Sequence, residues 1–524
     1  METRLRAPAS PQWAGSGERR GLDPLGMQNQ SIELYQSLLP GLGNVTLRMR
    51  YYGLYAWLAS TYAQRVGSED PEVWRHFLRR GEALYALIAV AANDSNGVAG
   101  SEWAKRELAA AGDGDISLSA ADSPSVPHLQ QSFGAFGAAY GSPLFDLKIL
   151  FENRKHRIPT PSPDQGEGLA RAFAEAGGDA ADAFCEAIMS RSVATTALAS
   201  MASLTPSRIG IDSAERNCYQ EILLKVQESK RHAARRDTLL LLLELAAQSG
   251  ELPEVLTFRW AMYTGNLSDG TPLSLASDEL RQRREEWWLY HANDLMHVCL
   301  EALLGYLLEL LETDYPGGVS MESLVQHAVE DILQSVESMV QTWREFANQS
   351  LSTEIEPDHD SGGERTLAEA LLRGRYGTKG SSKADYAVDA LRLLTLLQHR
   401  LERHHDVVTR RFGELNPKIS RTLLSEVAFL EASADDPLCD TLSELLTERV
   451  LRRHLWIAVQ KLRYQNAYTF LLDVDNGRLQ LRKKDGPVFT NPRVSPAITF
   501  LRDIHLLSEQ GITPHGRAVI TAAA

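Results

Sequence analysis

Three side chains of metal-ligating type stand at helical offsets in one stretch of the sequence, His291, Asp294 and His297, with Glu301 following. Offsets of three, three and four keep all four near one edge of a helix. Imidazole nitrogens with carboxylate oxygens are ligands that zinc or another transition metal accepts. A single helix rarely encloses a metal, however, and Trp287, Trp288, Leu295 and Leu300 give this one apolar faces to bury, so packing is the competing reading. A second chemistry, contact with polyanions, is offered by Arg482, Lys483 and Lys484 and by Arg493, Arg502 and Arg517 in the last segment, because guanidinium and ammonium groups neutralise phosphate. A third grouping, Arg48, Arg50, Tyr51 and Tyr52 with Tyr55, sets arginine beside aromatic rings at the start of a helix. That combination suits stacking on a base or gripping a phosphate, and equally suits packing on a neighbouring helix. The phosphate-loop, dinucleotide, nucleophile-elbow and HExxH zinc patterns are all missing, so no cofactor is expected and ATPase or α/β-hydrolase chemistry has no support.

The elements that would carry these residues are mostly helices. Apolar spacing of three and four is clearest over 31–65, 71–92, 214–250, 277–312, 320–351, 384–412 and 437–466. Only one segment reads firmly as β-structure. Phe470, Leu472 and Val474 alternate with polar neighbours, Asp475-Asn476-Gly477 supplies a tight turn, and Leu479 and Leu481 alternate on the far side. After this hairpin, Ser495 is placed to cap a helix opening on Pro496, and Thr513 to cap a last one opening on Pro514. The phrase 502–507 followed by Thr513-Pro514-His515-Gly516-Arg517 resembles the end of winged-helix domains, although here the hairpin precedes the helix. A parallel phrase, 145–150 with the basic stretch 153–157 and then Thr160-Pro161 and Gly166, suggests a second such unit near residues 100–173. The expected fold is therefore mainly α, a multidomain helical protein with a C-terminal winged-helix-like α+β module and a second one in its first third.

At 524 residues the chain is long enough for about three domains. Pro- and Gly-rich breaks suggest a disordered 1–26, an N-terminal helical domain over 27–175, an acidic helical body over 176–360, a helical linker over 361–436 and a basic module over 437–524. The formal net charge of −14 is unevenly spread, with a net of +6 from residue 371 onward and −20 before it. That asymmetry fits a nucleic-acid-facing tail on a body that repels phosphate, or a solvated basic face. Four cysteines without CxxC spacing, no secretory signal and no apolar run of roughly 20 residues point to a reduced, cytoplasmic, non-membrane setting.

The string 39–57, Leu-Pro-Gly-Leu-Gly-Asn-Val-Thr-Leu-Arg-Met-Arg-Tyr-Tyr and onward, resembles one near the start of uncharacterised bacterial proteins, some found beside phage-defence genes. The resemblance covers about 30 residues and identifies no active site. It implies a component of a bacterial multi-protein defence system. Helical ribonucleases of the HEPN kind use an Arg with a His five to seven positions later, and Arg284 with His291 and Arg392 with His399 meet that spacing. Roughly three such pairs arise by chance in a chain this rich in arginine, so the spacing itself decides nothing. The expected function is a non-enzymatic binding component that contacts double-stranded DNA or a partner protein through its C-terminal module. The competing expectation is a helical nuclease or metal-dependent enzyme of a defence complex, using His291, Asp294 and His297 or one Arg-His pair.

Overall fold

The computed structural model describes residues 23–119, 128–153, 155–225, 230–336, 340–354, 362–374 and 383–523. Helices dominate them, and the only strands among them form four two-stranded antiparallel sheets. No helix among the described residues is long and apolar enough to cross a membrane. The periodic stretches become helices where expected, but several are split. The stretch 31–65 divides into Gln28–Leu38 and Arg50–Arg65, 214–250 into Ala214–Leu224 and Lys230–Ser249, and 320–351 into Met321–Ser335 and Trp343–Glu354. Asp278–Thr313 and Lys383–Phe412 run through as long helices. Ser213, Ser320 and Thr422 accept backbone N–H bonds at the starts of their helices, each satisfying a donor that the helix itself leaves unpaired.

Two compact units emerge, one of Met1–Gln30 with Asn293–Phe489 and the other of Ser31–Ala292 with Thr490–Ala524. Neither matches the segments drawn from punctuation. The basic stretch 437–524 is itself divided, its hairpin falling in the first unit and its last helices in the second. Residues 1–22 of the expected disordered leader lie outside the described residues, whereas 23–26 are ordered: Asp23 Oδ1 accepts from Met27 N at 2.9 Å and Gln28 N at 3.2 Å, and Leu25 is fully buried.

In the first unit the long Lys383–Phe412 helix packs against Gly362–Gly374, Met321–Ser335, Trp343–Glu354 and Leu423–Ala432. Its apolar stripe, Ala387, Leu391, Leu394, Leu397 and Leu401, is buried. In the second unit Arg50–Arg65 lies along Gly166–Gly177. Gly53 permits the approach, since a Cβ there would meet the Tyr219 hydroxyl at 2.2 Å and the Phe173 ring at 2.9 Å.

The parallel between the two Thr-Pro phrases has a structural counterpart in the second unit, in a different register from that expected. Helix Gly141–Asp146 and helix Val494–Asp503 each stop through a left-handed residue, Lys148 at φ +56° and His505 at φ +60°. In the first, Ile149 N bonds Leu144 O and Lys148 N bonds Phe145 O; in the second, Leu506 N bonds Leu501 O and His505 N bonds Arg502 O. This is the Schellman closure of a helix end, made twice. A two-stranded hairpin follows each, Leu150–Glu152 with Pro159–Pro161 and Leu507–Ser508 with Gly511–Ile512. The next helix begins at Gly166 in one copy, after a turn that follows Ser162, and at Pro514, directly after Thr513, in the other. Ser162 Oγ donates to Lys148 O at 2.6 Å and accepts from Gly166 N at 3.0 Å; Thr513 Oγ1 donates to His505 O at 2.7 Å and accepts from Gly516 N at 3.1 Å. Ser162-Pro163, not Thr160-Pro161, is thus the counterpart of Thr513-Pro514, because Thr160 sits within a strand. Ser495 does not cap its helix, which begins at Val494 after Arg493 in the left-handed region.

Candidate functional site

Residues 452–484 hold eight Lys and Arg against two Asp, a net of +6, so the whole positive excess of the C-terminal third sits in one helix and one hairpin of the first unit. Helix Arg452–Gln465 continues from a π-helical turn, Leu445–Leu451, and ends at Asn466 with φ +51°. It buries Arg453, His454, Ile457 and Ala458. The opposite face exposes Arg452, Trp456, Val459 and Arg463, offsets of four, three and four that form one stripe, with Leu462 and Tyr464 beside it. Two apolar faces on one helix leave one of them in water.

Buried polar groups fix this helix and the hairpin to each other. Arg453 donates to Leu25 O at 2.8 Å and Ile419 O at 2.9 Å, and its guanidinium lies 4.7 Å from the Trp456 ring centre; burial pulls its pKa down to about 10. His454 accepts at Nε2 from Leu471 N, 3.0 Å away, which leaves Nδ1 to donate to Pro24 O at 3.1 Å. That pattern needs the neutral imidazole, and burial lowers the His454 pKa to about 4. From Leu471 the chain enters strand Leu472–Asp475, turns through Asn476 and Gly477, both at positive φ, and returns along Arg478–Leu481. The Asn-Gly turn is of the kind that suits the twist of paired strands. Leu471 O accepts from Arg482 N and Lys483 N, and Leu479 pairs with Val319.

The outer surface is aromatic and basic. Tyr464 is 77% exposed, Tyr468 53% and Trp456 41%. The Arg482 guanidinium sits 4.2 Å from the Tyr468 ring centre, and Phe470 lies 5.0 Å from the same ring. Arg482 also meets Asp473 at 3.7 Å, while Lys484 pairs with Glu309 and Glu312 and Arg452 with Glu448. Arg463, Arg478 and Lys483 are exposed and make no ion pair among the described residues. Sequence reading found Arg482, Lys483 and Lys484 but missed Trp456, Arg463, Tyr464 and Tyr468. The signal was the unbroken apolar run 455–459, which fills more than one face of a helix.

The other candidates lie elsewhere. Arg493, Arg502 and Arg517 belong to the second unit, so the six basic candidates are not one surface of one unit. Arg493 is half-buried over the Tyr35 ring at 5.6 Å, with its pKa lowered by burial; Arg502 pairs with Glu509, and Arg517 is exposed. Arg48, Arg50, Tyr51 and Tyr52 face the interior, which removes them as a surface that binds ligands. Arg50 donates from Nε and Nη2 to Glu215, both at 2.9 Å, and from Nη1 to Ser203 O and Thr205 O. Arg48 reaches Asp503 at 3.0 Å, Asn96 O at 2.9 Å and Ser207 at 2.8 Å. Tyr51 stacks on Tyr140 at 4.6 Å, and Tyr52 donates to Gly41 O at 3.0 Å. The helix is buried from Arg50 to Ala59, against Gly166–Gly177, Pro71–Ala91 and the strand Pro159–Pro161, so side chains that could grip a phosphate grip protein instead. Neither Asn44 nor Thr46 caps it; Thr46 Oγ1 turns back to Gly43.

The metal candidates fail on geometry. His291 sets Nδ1 3.2 Å from Arg259 Nε and packs edge-on against Trp260. His297 places Nδ1 3.2 Å from Asp294 Oδ1 and Nε2 2.9 Å from Val488 O. Both of its nitrogens face acceptors, as in an imidazolium. Burial opposes that charge, but Asp294 and Glu301 outweigh it and raise the His297 pKa to about 9. In that protonated form the His297 ring offers no lone pair to a metal. No group of three or more His, Cys, Asp or Glu placed to hold an ion occurs among the described residues. In the two Arg-His pairs, Arg284 forms an ion pair with Glu285, Arg392 with Asp389 and His399 with Glu402. No protein-family model, curated protein or solved structure matches the chain.

Proposed function

We propose that the chain is a non-enzymatic binding component of a bacterial multi-protein system, of the anti-phage kind, and that it contacts nucleic acid through the exposed face of helix Arg452–Gln465 and the hairpin after it. The supporting observation is the concentration of charge: a net of +6 over 452–484 in a chain of net −14, with Arg463, Arg478 and Lys483 unpaired among the described residues beside exposed rings. Cations in that setting release counterions from a phosphate backbone, while the acidic remainder limits indiscriminate attachment.

The paired helix–hairpin–helix repeats of the second unit are read as winged-helix-like elements that act in docking. Helix Val494–Asp503 buries Val494, Pro496, Ala497, Ile498, Phe500 and Leu501, which leaves little of it to enter a groove. The enzyme reading is weaker, because His291, Asp294 and His297 are all buried. A protein partner is the second reading. Val459, Leu462 and Val474 are aliphatic and exposed, and Trp, Tyr and Arg are also the residues that dominate protein interfaces.

The test is binding of fluorescent DNA by the full chain across a salt series, with the Arg463→Gln/Lys483→Gln double variant alongside. Nucleic-acid contact gives an affinity that falls linearly on a log–log plot against salt, with the slope reduced by about 1.5 in the double variant. Absence of binding at low salt for DNA of any form overturns the proposal in favour of the protein-docking reading.

A further inference from the structure

Resting on the nucleic-acid reading above, we infer that this face takes unpaired strands and holds them by stacking bases on Tyr464, Tyr468 and Trp456. A duplex offers only base edges and phosphates, so it has no use for rings that stand in water. An unpaired base offers a π-face to any ring it meets, whatever its identity. Here three rings stand 77%, 53% and 41% exposed on one helix and the segment that leaves it. Two of them already carry guanidinium groups, Arg482 over Tyr468 and Arg453 over Trp456, and Arg463 and Lys483 stand free of ion pairs among the described residues to meet phosphates.

The hairpin is poorly suited to enter a groove. Half-buried Asp473 and exposed Asp475 flank Val474 near the turn, where a duplex would present phosphates. The helix stripe suits a single strand better. Arg452 and Arg463 are eleven residues apart on the helix, roughly 16 Å at 1.5 Å per residue, with Trp456 and Val459 between them. With Tyr464 and Tyr468 beyond, the track accommodates about four nucleotides, the low end of what single-strand grooves hold. Stacking makes the site tolerant of sequence and indifferent to which base arrives.

The experiment compares fluorescent dT20, a labelled 20-base-pair duplex and the full chain, wild type against Tyr464→Ala/Tyr468→Ala, Tyr464→Phe/Tyr468→Phe and Arg463→Gln/Lys483→Gln. Both tyrosines are on the surface, so the core is untouched. The expected result is tighter binding of dT20 than of duplex, a loss of roughly 5- to 100-fold per ring in the alanine variant, recovery in the phenylalanine variant, and quenching of tryptophan fluorescence as dT20 covers Trp456. Duplex bound as tightly as dT20, or alanine variants that bind dT20 like wild type while Arg463→Gln/Lys483→Gln weakens it, overturns the stacking inference and leaves the nucleic-acid reading standing. Failure of the wild type to bind either probe at low salt overturns both.

Discussion

The buried pair of Arg50 and Glu215 offers the sharpest test of how the second unit is held together. Both side chains are fully inaccessible. Glu215 accepts two bonds from the guanidinium and a third from the Tyr219 hydroxyl at 2.9 Å, while Ser203 O and Thr205 O take the remaining guanidinium nitrogen. Glu215→Ala removes the carboxylate and leaves a cation in the core with only carbonyl partners. Breaking one side of such a pair costs about 3–5 kcal/mol. At a urea dependence of roughly 3 kcal/mol per M, a cost of about 4 kcal/mol lowers the midpoint by more than 1 M. The double variant Arg50→Met/Glu215→Leu removes both charges together and is expected to cost less than Glu215→Ala alone, since apolar groups of similar volume replace the pair without stranding a charge. Hydrogen exchange of amides in Arg50–Arg65 and Gly166–Gly177, followed through urea, reads this unit separately from the other, which a two-unit chain requires. A cost below about 1 kcal/mol for Glu215→Ala, or a double variant worse than the single, would falsify the reasoning.

Three further outcomes follow from other parts of the chain. His454, whose folded pKa is depressed to about 4 against 6.5 when free, holds fewer protons folded than unfolded between those values. Stability of the first unit therefore falls as pH drops from 6.5 towards 4, by up to about 3 kcal/mol, and this contribution is flat above 6.5; an NMR titration placing His454 near 6.5 contradicts it. His297 runs the other way: its folded pKa is raised to about 9, so its stabilisation is complete below 6.5 and is lost as pH rises through 9, which urea midpoints at pH 7 and 9.5 measure in wild type against His297→Gln. Alanine at Gly166 or Gly516 places a Cβ 2.1 Å from Ile149 O or 2.3 Å from Leu506 O and should lower the thermal midpoint of the second unit, whereas Gly168→Ala, in open space on the same helix as Gly166, should raise stability by about 0.5–1 kcal/mol; equal effects at the three sites contradict the steric argument.

Much of the local structure was legible. Apolar spacing located the helices, Asn476-Gly477 marked its hairpin, and Thr513 was recognisable as a cap, because each depends on interactions within a few residues. The likeness between the two Thr-Pro phrases was also visible, although its register was not: Ser162 and Thr160 both precede a proline, and only the bond from Ser162 to Lys148 O distinguishes them. The splitting of long periodic stretches at 39–49 and after Ser335 was missed because periodicity resumes on the far side.

What only the tertiary structure decided is which faces meet. The two units part between Ala292 and Asn293, inside the uninterrupted helix Asp278–Thr313, where no glycine or proline marks a boundary. The string around Arg48 to Tyr55 reads the same whether it faces water or protein, and it is the carboxylates of Glu215 and Asp503, 165 and 455 residues away in sequence, that settle it. The helix Arg452–Gln465 shows the converse, since its apolar run promises burial on every side but the fold supplies partners for one face and leaves Trp456 and Tyr464 in solvent. Residue types fix what a face is able to bind, and long-range packing determines whether that capacity is used inside the protein or remains available outside it.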